Sequence, residues 1–213
     1  MIKTIFVDFW GTLIEQGVWS PIKHVRTILK MRMPFHEFVV RFEKAMMLKP
    51  FIDLREAFHN VGEEFNIDIT DREMEELIGM WNKSWMLAKP FSEVEEVLNR
   101  LNEKYTLILV ANTNKFSLEK VLDKFKLAPY FEKSFLSYQM GLLKTDKDFF
   151  PNIIKELNLN IDECVMVGDS IQSDMIAAQT AGLKAILVDR KDKREFDTKI
   201  NNLKELEQKI AGL

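Results

Sequence analysis

The first apolar run of the chain, with the turn after it, constrains the fold more than any other feature. Residues 2–7 are mostly apolar and too few for a stable helix, a pattern typical of a buried strand in a parallel sheet. Asp8 follows directly, and Gly11 and Thr12 come next. Ligands of parallel sheets bind beyond the carboxyl ends of the strands. We therefore expect Asp8 at a ligand site and expect Gly11 to let the backbone turn close to the ligand. The alternative for Asp8 alone is an Asp that merely satisfies a turn.

From residue 90 onward, strand and helix patterns alternate. The predicted strands cover 106–111, 134–137, 164–167 and 185–188. The predicted helices cover 93–101, 117–125, 146–157, 173–181 and 203–210. Such alternation predicts an α/β fold, a Rossmann-like parallel sheet with helices on both faces. Polar residues follow the strand ends, where such folds bind ligands.

Residues 21–87 show helical periodicity and no convincing strand. Pro21 and Pro34 suit the first turns of two helices, and Asp53 and Thr70 suit the N-caps of two more. The last two helices are expected over 54–65 and 71–87. The segment is rich in Met and aromatic residues, which at helical spacing mostly pack in a core. A few of them facing outward as a lid over a ligand is the alternative.

Composition narrows the class of protein. The 213 residues are 46% hydrophobic and 30% charged, with a net charge of −3, which favours neither nucleic acid nor a membrane surface as a partner. Cys164 is the single cysteine, which fits a reducing compartment. No apolar stretch approaches the roughly 18 residues that span a bilayer, and the N-terminal run leads into Asp8 without the order of a signal peptide. We expect a cytoplasmic protein, either a monomer or a homodimer.

Four marked groups follow the strands in order: Asp8, the corner at Asn112, Lys144 and the run 168–174. In this order and spacing they resemble the haloacid dehalogenase-like (HAD) superfamily of hydrolases. The stretch 164–182 is the most specific part, because Gly-Asp-Ser is followed by a second Asp. Many members of that family carry a helical cap between the first and second core strands. The resemblance therefore implies two domains. They are a HAD-like α/β core domain (1–15 and 90–213) and an all-helical cap domain (16–89).

The resemblance also implies roles for individual residues. Asp8 would be the nucleophile that forms an aspartyl-phosphate, and Lys144 would restrain it and offset phosphate charge. Asp8, Asp169 and Asp174, with the backbone carbonyl of Trp10, would hold Mg²⁺, which prefers such hard oxygen ligands. A small phosphorylated molecule is the implied substrate. For the two later carboxylates the alternative is an N-cap and a surface helix residue, and for Lys144 it is a solvated loop lysine.

The phosphate group of the substrate would contact two loops. Trp10 and Gly11 belong to the first, and Asn112 and Thr113 to the second, with backbone N–H groups of both loops pointing at the transferring oxygens. The second loop departs from the family pattern, since Ala111 stands where Ser or Thr is usual. The hydroxyl of Thr113 is a candidate replacement for it, and a Thr that satisfies its own turn is the alternative.

The first loop departs more seriously. Phosphatases of this family usually have Asp-x-Asp, and here Trp10 stands at the second Asp. That Asp protonates the leaving alkoxide, assistance worth about 10²- to 10⁴-fold, and an indole N–H cannot replace it. A borrowed acid from the helical segment is one solution, and His24, His36 and His59 are its only histidines. Ordinary surface or packing roles are the alternative for each of them.

Three functions remain open on the sequence. The first, which we favour, is a Mg²⁺-dependent phosphatase that lacks the usual second-Asp acid. The second is a 2-haloacid dehalogenase, because Asp8-x-aromatic-Gly-Thr-Leu is similar to the first motif of those enzymes and halide leaves without a proton. Those enzymes work without metal and lack the acidic pair Asp169 and Asp174, which this chain keeps. The third is a non-catalytic binding or regulatory descendant.

Overall fold

The computed structural model describes residues 1–213, and its centre is a six-stranded parallel sheet. The strands, numbered in chain order, are β1 Thr4–Val7, β2 Ile14–Glu15, β3 Lys89–Pro90, β4 Thr106–Ala111, β5 Lys133–Leu136, β6 Cys164–Gly168, β7 Lys184–Val188 and β8 Lys199–Ile200. The sheet has the order β5-β4-β1-β6-β7-β8, and its neighbouring strands are all parallel. The antiparallel pair β2 and β3 stands apart from it.

Ten α-helices connect these strands. They are α1 Pro21–Ile28, α2 Phe35–Met47, α3 Leu54–Phe65, α4 Asp71–Met86, α5 Val94–Asn102, α6 Leu118–Phe125, α7 Ser137–Met140, α8 Phe149–Glu156, α9 Ala177–Thr180 and α10 Leu206–Ala211. None of them is both long and apolar enough to cross a bilayer. The predicted α/β class, with helices between parallel strands, is confirmed.

The strand order places Asp8 at the centre of the sheet's functional edge. β1 pairs with β4 on one side and with β6 on the other. The chain winds outward in both directions from β1, so the carboxyl end of β1 lies at the switch point where such sheets bind ligands. Asp8 is the residue directly after that end.

Both faces of the sheet are covered. All four residues of β1 are buried. Ile5 and Val7 pack into a core cluster of 29 residues on one face, whereas Phe6 packs into a cluster of 14 on the other. Strands that are buried on both faces consist of nearly continuous apolar residues. The apolar runs of the sequence therefore predicted these strands.

Helices α1–α4, called the cap helices here, have a core of their own. Seventeen buried residues form it, and Leu143 is its only member outside the segment 16–89. Asp53 caps α3 by accepting from the N–H of Glu56, and Thr70 and Glu73 form a capping box at α4. This separate core supports the predicted division into a core domain (1–15 and 90–213) and a cap domain (16–89), which we keep as a proposal.

Three features differ from the sequence prediction. The two-residue pair β2 and β3 and the edge strand β8 were not predicted, because two residues carry no periodicity. The helix expected over 173–181 begins as a π-helical turn at Ile171–Ile176 and becomes α-helical only at α9. In that turn both Asp174 and Met175 donate their N–H to the carbonyl of Ser170. π-turns of this kind are frequent at functional sites.

Candidate active site

Asp8 is fixed from three directions at the end of β1. Its backbone N–H donates to the carbonyl of Val167 at 2.9 Å. Lys144 Nζ donates to Oδ1 at 2.6 Å, and the hydroxyl of Thr12 donates to Oδ2 at 3.0 Å. Asp8 itself is only 5% exposed. A carboxylate held in this way is oriented toward whatever enters the cavity above it.

Lys144 joins two of the predicted site residues. Its buried ammonium donates to Asp8 and to Asp174, and its backbone N–H donates to Asn112 Oδ1 at 2.9 Å. Burial alone would lower the pKa of Lys144, but the two carboxylates outweigh burial and raise that pKa above its usual range. The raised pKa favours the charged form of Lys144, and because the side chain is buried the solvated-loop alternative is wrong.

Three carboxylates converge beside this single cation. One oxygen from each of Asp8, Asp169 and Asp174 lies within 4.8 Å of the others. Burial, together with the neighbouring carboxylates, raises the pKa of Asp169 and of Asp174 above the usual range. Such a cluster is short of positive charge, and its hard oxygen donors suit a divalent cation such as Mg²⁺. Trp10 lines the cavity with these carboxylates, and its carbonyl accepts no backbone hydrogen bond.

Two glycines make room for these carboxylates. A Cβ on Gly168 would lie 2.3 Å from Asp174 Oδ2, and a Cβ on Gly11 would lie 2.4 Å from Asp169 Oδ2. Gly11 also has φ +83°, a conformation that favours glycine. Its N–H donates to the carbonyl of Ile14, and Gly11 does not line the cavity above Asp8. Gly11 therefore provides space for Asp169.

A cavity of about 240 Å³ lies above Asp8, between the strand ends and the cap helices. Trp10, Asn112 and Thr113, three of the residues predicted to contact the phosphate, line it. The N–H groups of Phe9 and Trp10 donate to no other backbone group, and of these two residues only Trp10 lines the cavity. Thr113, by contrast, uses its hydroxyl on the carbonyl of Asn114 at 3.2 Å, which matches the turn alternative.

Asn114 lines the site, and the sequence did not indicate a role for its side chain. Its Oδ1 accepts from the N–H of Phe116 at 3.0 Å and from the hydroxyl of Ser117. These two bonds fix the orientation of the amide. Its Nδ2 is buried without any partner, although Asn114 lines the cavity. A buried amide donor without a partner is costly, and an anionic oxygen in the cavity would satisfy it.

The structure brings no histidine to the cavity. His24, His36 and His59 are exposed, and none of them lines it. Trp10 lies in the cavity wall, packed edge-on against Phe9 with ring centroids 4.9 Å apart. The expectation that a cap histidine supplies the missing acid therefore has no geometric support.

Glu43 is the second missed residue. It lies on α2 and is the only ionisable residue of the cap helices in the cavity lining. Asn112 Nδ2 donates to its Oε2 at 3.0 Å. Burial raises the pKa of Glu43 to about 7, against the opposing pull of Lys144. Its sequence context, one charge among many on an amphipathic helix, gave no signal of this position.

The arrangement of fold and site defines a class of protein: a Rossmann-like α/β core with a buried carboxylate at the switch point and two further carboxylates beside it. The family described as haloacid dehalogenase-like hydrolase matches residues 2–182. The chain belongs to this haloacid dehalogenase-like (HAD) hydrolase family.

Individual relatives have low sequence identity to this chain. Glyceraldehyde 3-phosphate phosphatase of Methanocaldococcus jannaschii is 29% identical, over 100% of this chain and 99% of its own. A HAD family enzyme of Bacteroides thetaiotaomicron, solved with magnesium and inorganic phosphate, has a TM-score of 0.62 at 21% identity, covering 92% of this chain and 98% of its own. L-2-haloacid dehalogenase of Xanthobacter autotrophicus has a TM-score of 0.66 at 16% identity, covering 100% of both chains. These structural likenesses establish the fold and do not separate the two chemistries.

Proposed function

We propose that this protein is a Mg²⁺-dependent phosphatase that acts on a small phosphorylated substrate through an aspartyl-phosphate on Asp8. One observation carries the proposal. One carboxylate oxygen from each of Asp8, Asp169 and Asp174 lies within 4.8 Å of the others, and only two of these carboxylates contact the single lysine of the site. All three line a cavity that two asparagines also line. Such a site has a deficit of positive charge at its base and donors for an anion above it.

The residues present fit a magnesium ion. Asp8, Asp169, Asp174 and the carbonyl of Trp10 would hold it, leaving coordination places for water and a phosphate oxygen. Bound there, Mg²⁺ would offset the charge of the phosphate and allow a carboxylate to approach it.

The chain's own groups would then perform the transfer. Asp8, oriented by Lys144 and Thr12, attacks phosphorus as the bond to the leaving oxygen breaks. The amide of Asn114 and the free N–H groups of the first loop hold the transferring oxygens. Water then attacks the aspartyl-phosphate and releases inorganic phosphate, which restores Asp8.

The cavity size supports a small substrate. Its volume of about 240 Å³ lies below the usual range for sites of drug-sized ligands, about 300–1,000 Å³. Relatives that are named glyceraldehyde 3-phosphate phosphatase make three-carbon phosphates the first substrates to test.

The charge of the site argues against the dehalogenase alternative. A metal-free enzyme would keep Asp169 half-buried beside Asp8 and Asp174 with no ion pair to its carboxylate, since Lys144 contacts only the other two. Arg194, the other nearby cation, donates to the backbone carbonyl of Asp169 and pairs with Asp189. Like charges in such a site repel each other. Metal-free halide release would not require these three carboxylates to lie together.

The test is an assay of 4-nitrophenyl phosphate and glyceraldehyde 3-phosphate with Mg²⁺ and with EDTA, beside chloride release from 2-chloropropionate. We expect phosphate release that EDTA abolishes. Asp8→Asn should lower it by several orders of magnitude, because the nucleophile is lost. Asp162→Asn, an exposed residue outside the site, is the matched control and should keep full activity.

Two results would overturn the proposal. Chloride release that persists in EDTA would identify a dehalogenase. No release of phosphate or chloride from a folded protein would indicate the binding or regulatory role instead.

A further inference from the structure

The site described above lacks one part, a proton donor for the leaving group. Trp10 cannot transfer a proton near neutral pH. Asp8 is the nucleophile, and Asp169, Asp174 and Lys144 form the charged cluster below the phosphate. Only one ionisable side chain of the cavity lining has no role so far, and it is Glu43.

Glu43 enters the cavity from a cap helix, whereas Asp8 enters it from the strand ends. In phosphoryl transfer the attacking and leaving oxygens are roughly in line through phosphorus. Asp8 attacks from the strand ends, so the leaving oxygen points away from the sheet and toward the cap helices. α2 contributes Glu43 to that opposite wall.

The orientation of the Glu43 carboxyl group is also set. Asn112 Nδ2 donates to Oε2 at 3.0 Å, and Asn112 is itself anchored through Oδ1 by the N–H of Lys144 at 2.9 Å. Oε1 has no hydrogen-bond partner in the protein. One carboxyl oxygen is thus tied to the core, and the other is left for the ligand.

We propose that Glu43, on the cap side of the cavity, is the general acid and base that replaces the missing second aspartate. This inference rests on the proposed phosphatase function. In the first half-reaction the bond from Asp8 to phosphorus forms, the bond to the leaving oxygen breaks, and the proton of Glu43 moves to that oxygen. In the second half-reaction Glu43 takes a proton from water while the water oxygen binds phosphorus and Asp8 leaves. Glu43 ends protonated, as it began.

The electrostatics of the position agree with this cycle. Burial raises the pKa of Glu43 to about 7, the ammonium of Lys144 opposes the rise, and the carboxylates of Asp174 and Asp8 add to it. A group with a pKa near the working pH can both give and take a proton. A solvated glutamate would be ionised at pH 7 and could not donate.

The experiment compares leaving groups in Glu43→Gln, which keeps an oxygen to accept from Asn112. For the alkyl phosphate that the unaltered protein cleaves fastest, kcat/KM should fall by about 10²- to 10⁴-fold. For 4-nitrophenyl phosphate, whose phenolate leaves with little protonation, kcat/KM should stay near that of the unaltered protein. Its steady-state kcat should fall, with a rapid burst of nitrophenol, because Glu43 also serves the hydrolysis of the aspartyl-phosphate.

Glu37→Gln is the matched control, since Glu37 lies exposed on the same helix, and it should leave both substrates unaffected. Equal losses of kcat/KM for the alkyl and aryl substrates in Glu43→Gln would indicate a purely structural role and overturn the inference. Unchanged alkyl phosphate turnover would overturn it as well.

A second measurement needs no variant. The kcat/KM of the unaltered protein for the alkyl phosphate should decline above about pH 7, because the proton donor is then ionised, and the aryl phosphate should show no such decline. Identical pH profiles would contradict the role of Glu43. The two proposals fail separately: an inactive unaltered protein removes the phosphatase function, whereas Asp8-dependent activity that is indifferent to Glu43 removes only this inference.

Discussion

At the scale of single residues, the proposed nucleophile and the proposed acid lie on different parts of the chain. Asp8 follows β1, whereas Glu43 comes from α2, and Asn112 connects the two regions by donating to Glu43 and accepting from the N–H of Lys144. Trp10 lines the same cavity. Proton transfer in such a site depends on the cap helices being in place over the strand ends.

Trp10→Asp tests this separation directly. In a Glu43→Gln background, an aspartate at position 10 should restore alkyl phosphate turnover by about tenfold or more, since general acid assistance is worth about 10²- to 10⁴-fold when complete. Trp10→Asn in the same background removes the indole without supplying a proton donor. Steady-state kinetics of both double variants decides the matter: equal rates would show that a carboxyl group at position 10 does not reach the leaving oxygen.

At the scale of elements, the sequence predicted most of what holds the site. Apolar runs predicted β4 at its observed bounds and β1, β5, β6 and β7 within two residues at each end, because strands buried on both faces differ in composition from every neighbour. Capping residues predicted where α3 and α4 begin. Asp53 and Thr70 accept from free N–H groups of the first turn, so these residue types mark the start of a helix.

The elements that were missed depend on distant contacts. The π-turn before α9 carries Asp174 to Lys144, and its backbone pattern follows from that packing. Glu43 reaches the cavity only because the cap helices fold over the strand ends. Neither position is marked by the local sequence pattern. An unaligned sequence could therefore indicate Asp8 and the acidic cluster but not Glu43.

The junction of β6 and the π-turn gives a prediction about packing. Gly168→Ala would place a methyl group 2.3 Å from Asp174 Oδ2, so the turn must shift, and we expect a loss of about 1–3 kcal/mol in the free energy of unfolding together with weaker activation by Mg²⁺. Gly79→Ala is the control, because Gly79 is exposed in α4 with open space around its Cα. It should gain about 0.5–1 kcal/mol. Urea unfolding measures both changes, and a neutral Gly168→Ala would contradict the tight packing of Asp174.

At the scale of the whole molecule, cap helices and sheet meet at a few polar contacts. Besides the bond between Asn112 and Glu43, the hydroxyl of Ser137 donates to the carbonyl of Met47 at 2.8 Å. Leu143, from the loop that carries Lys144, packs into the core of the cap helices. The cavity therefore exists only when the two parts are closed on each other, and its opening is the expected route for substrate entry and product release.

The charge imbalance of the site predicts how metal couples to folding. Three carboxylates contact or adjoin one ammonium, so a cation that binds only the folded state should stabilise it, by about 2.7 kcal/mol at a concentration 100 times the Kd. Asp169→Asn removes one carboxylate that Lys144 does not contact. That variant should therefore raise Tm in EDTA, by relieving repulsion, and should lose most of the Mg²⁺-dependent rise in Tm. Thermal unfolding with Mg²⁺, with NaCl at matched ionic strength and with EDTA measures these changes, with Asp162→Asn as the control. A full Mg²⁺ shift in Asp169→Asn would place the cation elsewhere. A lower Tm of Asp169→Asn than of the unaltered protein in EDTA would mean that the contacts of Asp169 stabilise the fold more than its charge destabilises it.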